Sequence, residues 1–177
     1  EVALGTIEAW GVSNWSAERF WEARSRADVA LPVATSPQFS LVDQLAEPWP
    51  GVTTITGPAH AEERVGLADP EISVIAWSPL AGGFLTAARR PESATDAETT
   101  RCYDSVQNRN RRERSLQLAI SRGCSPEQIA IAYVATSPFC THVVCAARDG
   151  LEAAANLEAA EMELTSEERQ WLEDGDR

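Results

Sequence analysis

Hydrophobic positions along this chain fall into two rhythms: short apolar runs that end in small polar residues, and longer stretches with helical spacing. The first run is IEAWGVSNW, from Ile7 to Trp15. Ile7, Ala9 and Gly11 alternate there with Glu8, Trp10 and Val12, and apart from Glu8 both faces are apolar or small. That predicts a short strand covered on both sides, as in a parallel sheet. It empties into Ser13 and Asn14, and from Ser16 the stretch SAERFWEARSRAD takes up helical spacing around Phe20, Trp21 and Ala23. A second apolar run, Leu31 to Val33, ends in Thr35, Ser36, Pro37, Gln38, Phe39, Ser40 and Leu41 and predicts another strand delivering polar groups at its end. Residues 46–60 hold Pro48, Pro50 and Pro58 with two glycines, which predicts a loop, followed by a short helix from Ala61 to Leu67.

The clearest strand is Ile72 to Trp77, β-branched and bounded by Pro70 and Pro79. It leads into SPLAGGFLT, where Gly82 and Gly83 allow positive φ or a close approach of backbone to a ligand. Residues 87–105 are polar and read as a long loop, a kind of segment that tends to be functional or mobile. Asn108 to Arg122 predicts a helix with Leu116, Leu118, Ala119 and Ile120 as its apolar residues and Gly123 just past its end. Ser125-Pro126-Glu127-Gln128 is a capping-box start, and its helix carries Ile129, Ala132 and Tyr133 on one face. His142 to Cys145 is a fourth strand, Ala146 to Gly150 a turn, and Leu151 to Ala160 a helix. Thr165 to Glu168 is a second capping box, opening a last helix with Trp171 and Leu172.

Four strands, each followed by helix, imply an α/β fold of parallel strands joined by right-handed crossovers in one domain, residues 1–177. In such folds ligands bind at the carboxyl ends of the strands. Ser13 and Asn14 sit at one such end, and an Asn amide offers both a donor and an acceptor, enough to hold a carboxamide. The same two residues are also common helix caps. Neither GxGxxG nor GxxxxGK[ST] occurs, so the two common phosphate fingerprints are missing.

A net charge of −12 argues against nucleic acid and against an anionic membrane face. No run of about 18 apolar residues predicts a membrane span. All 15 basic residues are arginine, which removes lysine as a catalytic group. Cys102, Cys124, Cys140 and Cys145 form no CxxC pair and read as small buried thiols, which suggests a cytoplasmic setting. Glu161, Glu163, Glu167 and Glu168 read as a solvated face and helix-start charges rather than a metal site. The start at Glu1, in mid-pattern, suggests a piece of something longer.

Four motifs together resemble the aldo-keto reductase family. GVSNW at 11–15 is similar to its strand-five signature, SPQFSLVD at 36–43 to strand six, AWSPLAGGFLT at 76–86 to strand seven, and VVCAARDGLEAAANLEAAEMELTSEE at 143–168 to strand eight with the C-terminal helix. The resemblance implies a parallel (β/α)8 TIM-type barrel, present here as four βα units plus a C-terminal helix. It also implies reduction of an aldehyde or ketone carbonyl by NADPH. On that resemblance Ser13 and Asn14 would hold the nicotinamide carboxamide, Ser36 would take the place of the family's strand-six Gln, and Trp77 would stack on the nicotinamide. Ser78, Pro79, Leu80 and Gly82 would line the pyrophosphate, Ala146, Ala147 and Arg148 the ribose phosphate, and Asn156 the adenine.

This sequence departs from the family pattern in having Gln38 two residues after Ser36, Ala155 where an acidic adenine contact is expected, and Ala146 in place of a glycine. The family's catalytic Asp, Tyr, Lys and His come from the first four strands, whereas this chain resembles the fifth onward. Tyr103 in the long loop, Tyr133, His60 and His142 read as ordinary surface or core residues. The expected division is therefore a cofactor half here and a catalytic tetrad elsewhere, with no reductase activity in this segment alone. Open sheet edges and an apolar inner face predict self-association. A non-catalytic nucleotide-binding or regulatory module is the rival reading, and a flavodoxin-like sheet with another strand order is a third.

Overall fold

Each strand forms where a β-rich run meets small residues that tolerate a close neighbour; the first and third strands are shorter than their apolar patterns, and the second and fourth keep the expected length but are shifted along the chain. The computed structural model describes residues 1–26, 30–88 and 97–175. Strands β1 (Gly11–Ser13), β2 (Ala34–Ser36), β3 (Ser73–Trp77) and β4 (Thr141–Val144) lie side by side in that order, all parallel. The order 1-2-3-4 is what half of an eight-stranded βα barrel requires and removes the flavodoxin-like alternative. β1 begins at Gly11 rather than Ile7, and Ile7 lies exposed. β2 takes in Thr35 and Ser36, which the apolar pattern had placed beyond its end, because its ladder partners are Val12, Ser13 and Val74.

Register decides the faces. Val12 pairs with Thr35, Thr35 with Val74, and Ala76 with Val143, and Val12, Thr35, Val74 and Ala76 are buried. The opposite face carries Gly11, Ser13, Ala34, Ser36, Ser73, Ile75, Trp77, His142 and Val144. It is open: Ile75 is 37% and Val144 49% exposed. The expectation that both faces of the first strand are covered is thus corrected, and the open face mixes apolar Ile75, Trp77 and Val144 with small and polar residues. Much of this face is glycine, alanine and serine.

The helices are α1 (Ala17–Arg24), α2 (Ala61–Gly66), α3 (Ala97–Tyr103), α4 (Val106–Arg122), α5 (Pro126–Ala135), α6 (Gly150–Glu161) and α7 (Ser166–Asp174). Ser16, not Ser13 or Asn14, caps α1, accepting the Arg19 amide at 3.3 Å, so those two side chains are not its caps. Of the end of the first helical pattern, residues 27–28 lie outside the described residues. α3 replaces part of the expected long loop at 87–105, within which residues 89–96 lie outside the described residues, and it places Tyr103 on a helix. Both expected capping boxes form, at Ser125 and Thr165.

α5 differs from its expected one-sided pattern: every residue from Ile129 to Val134 is buried, because α4, α6 and β4 pack around it. In α4, by contrast, Leu118 and Ala119 are buried while Ile120 is 82% exposed. Of the four thiols Cys102 alone is buried; Cys140 and Cys145 are exposed, since β4 is an edge strand.

α4 and α7 are joined by a fork. Arg122 Nε and Nη2 reach Glu168 Oε1 and Oε2 at 2.9 and 2.5 Å, and Arg122 Nη1 donates to the Glu163 carbonyl at 3.1 Å. Partial burial alone would raise the Glu168 pKa; the Arg122 hydrogen bond and the Thr165 amide outweigh it and hold the carboxyl below its ordinary 4.5. A depressed folded value contributes stability above the unfolded value and loses it as pH falls through the folded one. Glu168→Gln should therefore lower the urea midpoint at about pH 7, and the gap to wild type should close by about pH 3. A gap independent of pH would remove the ion pair as its cause.

Candidate functional site

The carboxyl ends of β1, β2 and β3 converge on one backbone atom. The Ser36 carbonyl accepts the Asn14 backbone N–H at 3.2 Å, the Ser13 hydroxyl at 3.4 Å and the Trp77 indole Nε1–H at 3.3 Å. Ser36 Oγ in turn donates to the Ile75 carbonyl at 2.8 Å. Four of the expected site residues, Ser13, Asn14, Ser36 and Trp77, are therefore brought together by the parallel register that aligns the three strand ends. The Trp77 indole lies flat beside Trp49, with centroids 5.2 Å apart and planes 23° apart. The Asn14 side-chain oxygen accepts the Thr53 amide at 3.3 Å.

Backbone conformation singles out the same rim. Among the described residues the non-glycine positions with positive φ are Asn14 (55°), Ser78 (58°) and Ala81 (51°), and each follows a strand end here. A left-handed alanine costs about 1–2 kcal/mol. Such outliers persist where the surroundings hold them, and they cluster at ligand sites.

Beyond Trp77 the chain turns tightly. The Ser78 hydroxyl accepts the Gly82 amide at 3.2 Å, and Thr99 Oγ1 donates to the Gly82 carbonyl at 3.0 Å. A Cβ at Gly82, whose φ is +60°, would stand 3.3 Å from that Thr99 oxygen. Ser78 and Gly82 thus flank a cavity of about 200 Å³ shared with Trp49, Trp77, Thr99 and Tyr103. Leu80 is half-buried and Pro79 buried, and neither lines that cavity. Burial pushes the Tyr103 hydroxyl up to about 12, against the pull of a hydrogen bond with Ser78. Tyr133 is raised still further by burial and by Glu173, to which it donates at 2.7 Å.

A second cluster stands after β4, which the pairing of Trp77 with Val144 sets at the same end of the sheet. Asn156 on α6 donates to the Ala146 carbonyl at 3.1 Å, which ties the exposed Ala146–Ala147 turn to the helix. Arg148 gives both its amide and its Nε–H to Glu152 Oε2, at 2.7 and 2.9 Å. Its amide and guanidinium hold the Glu152 carboxyl below the ordinary range. Asp149 caps α6, accepting the Leu151 and Glu152 amides. The first turn of α6 therefore already carries two carboxylates where an anion would otherwise sit.

Gln38, which follows Ser36 by two residues, is fully buried rather than at the rim. It donates to Ser40 Oγ at 3.0 Å and accepts from Thr54 and Thr56 hydroxyls at 2.6 and 3.3 Å, so it locks the 38–56 segment. Trp49 and Thr53 escaped the sequence reading, since a proline-rich loop gives no periodic signal. His60 pairs with Glu63 at 3.0 Å, and His142 is exposed on β4. Among the described residues no cluster of three His, Cys, Asp or Glu side chains could hold a metal ion, and no helix is long and apolar enough to cross a membrane.

Residues 2–174 match the family model for the aldo/keto reductase family. Two curated relatives, each a probable voltage-gated potassium channel subunit beta, come from Oryza sativa subsp. japonica and Arabidopsis thaliana. Each is 26% identical over 86% of this chain and 47% of its own length. A thermostable aldo-keto reductase crystallised with the inhibitor epalrestat superposes with a TM-score of 0.67 at 19% identity, covering 97% of this chain and 50% of that one. Gox0644 in its apo form gives 0.64 at 18% identity, covering 99% and 49%. The chain thus spans about half the length of the relatives it matches.

Proposed function

This chain belongs to the aldo/keto reductase family, and from that premise we propose that it supplies most of the NADPH site of an enzyme reducing an aldehyde or ketone carbonyl. The observation that carries the reading is the convergence of Ser13, Asn14 and Trp77 on the Ser36 carbonyl. The Ser13 hydroxyl, the Asn14 backbone amide and a flat indole meet at that point, and the Asn14 carboxamide beside it faces the Thr53 amide; such a set suits the nicotinamide end of such a cofactor. Ser78 with Gly82 would take the pyrophosphate, and Ala146, Ala147, Arg148 and Asn156 the adenosine phosphate end. There the fit is conditional: Glu152 has to release Arg148 before its guanidinium fork can meet a phosphate. When bound, the reduced nicotinamide supplies hydride to the carbonyl carbon. The residues here hold and orient it. The proton that the carbonyl oxygen needs comes from outside this chain, which has no lysine and whose two tyrosines have raised pKa values.

The description of the two plant relatives as probable channel subunits favours a second reading, a nucleotide-binding module that acts on a partner protein instead of turning over a carbonyl. One experiment separates them. The purified chain should bind NADPH in a calorimetric titration and reduce no aldehyde. Carbonyl reduction should appear when the residues of the other half of the barrel are supplied. Binding without reduction even then would favour the regulatory module, and no binding at all would remove both. Light scattering on the same sample tests self-association: among the described residues β1 and β4 are the edge strands of the sheet, and we propose that a second copy pairs with them in a cytoplasmic setting. A monodisperse monomer would refute that.

A further inference from the structure

The loop between β2 and α2 covers the rim in a particular way. Trp49 lies against the Trp77 ring. From the same loop the Thr53 amide donates to the Asn14 carboxamide oxygen. A nicotinamide offers the same two things, a flat ring and an amide N–H. Resting on the proposed cofactor reading, we infer that the Trp49 ring and the Thr53 amide act as an internal stand-in for the nicotinamide, which has to displace that ring and take over that hydrogen bond to bind.

Spacing excludes simple insertion. A ring held between two indoles needs about 7 Å, two contact layers of about 3.5 Å each. The Trp49 and Trp77 centroids are 5.2 Å apart. Trp49 therefore leaves when another ring takes that face of Trp77. It is 52% exposed and makes no part of the buried core, so its departure costs the fold little.

Gln38 fixes the far end of this loop, its backbone amide donating to the Thr53 carbonyl at 2.9 Å, and α3 holds the end that carries Trp49. Arg101 Nη2 donates to the Glu47 carbonyl at 3.0 Å and the Pro48 carbonyl at 3.4 Å, and the Leu45 amide donates to the Cys102 carbonyl at 2.7 Å. α3 also grips the turn after β3 through Thr99 and Gly82. One helix thus clamps both the stand-in and the turn beside it, and loosening its hold on the loop favours the cofactor.

The test is NADPH titration of the whole chain by calorimetry, for wild type, Trp49→Ala, Arg101→Ala and Trp77→Ala. Removing an aromatic competitor should tighten binding about two- to tenfold in Trp49→Ala. Arg101→Ala should shift it in the same direction by less. Trp77→Ala should weaken it. Circular dichroism provides a second readout: the exciton band of the stacked indoles should be lost in Trp49→Ala and on saturation of wild type with NADPH. Unchanged or weaker binding in Trp49→Ala, alongside weaker binding in Trp77→Ala, overturns the stand-in and leaves the cofactor site standing. So does an exciton band that survives saturation. NADPH binding that ignores Trp77→Ala, or is missing from every variant, overturns the cofactor site and the stand-in together.

Discussion

Replacing Trp77 by alanine should weaken NADPH binding by about 10- to 100-fold, the range expected for truncating a central aromatic anchor. Trp77 stands at the end of β3 with its Nε1–H bonded to the Ser36 carbonyl, so its plane is fixed before any ligand arrives. That fixed plane lowers the ordering entropy of stacking, which is why the loss should exceed that of an unsupported ring. Trp77→Phe separates the two contributions. It keeps a flat ring and loses the hydrogen bond, so it should fall between wild type and alanine. Calorimetric titration reads both, and equal affinities for all three proteins would exclude Trp77 from the site.

Gly11→Ala should destabilise the chain by about 3 kcal/mol, the upper end for forcing a group into packed surroundings. A Cβ there would meet the Ala34 carbonyl oxygen at 2.7 Å and the Ala34 Cβ at 2.8 Å. The obstacle is the neighbouring strand's backbone, so it cannot swing aside as a flexible side chain would. Thermal unfolding should show a fall of about 6–12 °C for a chain of this size. A shift of a degree or less would mean that β1 is not held against β2 as described. Pushing β1 outward also separates Ser13 and Asn14 from the Ser36 carbonyl, so the variant should lose cofactor affinity as well as stability.

Both predictions act on the same spacing. The rim works as a site because three strand ends lie within hydrogen-bonding reach of one carbonyl, and glycine at position 11 lets the first two approach that closely. The left-handed Asn14, Ser78 and Ala81 then turn the chain away at once, leaving their neighbours' side chains at the sheet's end.

Local patterns were enough for the strand count, the βα order, both capping boxes and the family likeness. Each depends on residues adjacent in sequence: β-branched runs, Pro at a first helical turn, Ser or Thr three residues before Gln or Glu. They were also enough to place Ser13, Asn14 and Trp77 at strand ends. Tertiary structure alone decided the remainder. Where β1 and β2 begin depends on their ladder partners, and a three-residue strand has too few positions to show a period. α5 is buried all round because α4, α6 and β4 close on it, which a one-faced pattern does not reveal. Gln38 turned inward because hydroxyls of Thr54 and Thr56, far along the chain, satisfy its amide. Trp49 met Trp77 only because α3, itself hidden in a polar stretch, ties down the loop that carries it. Contacts between distant residues carry no local periodicity, and at this site they determine which groups a ligand meets first.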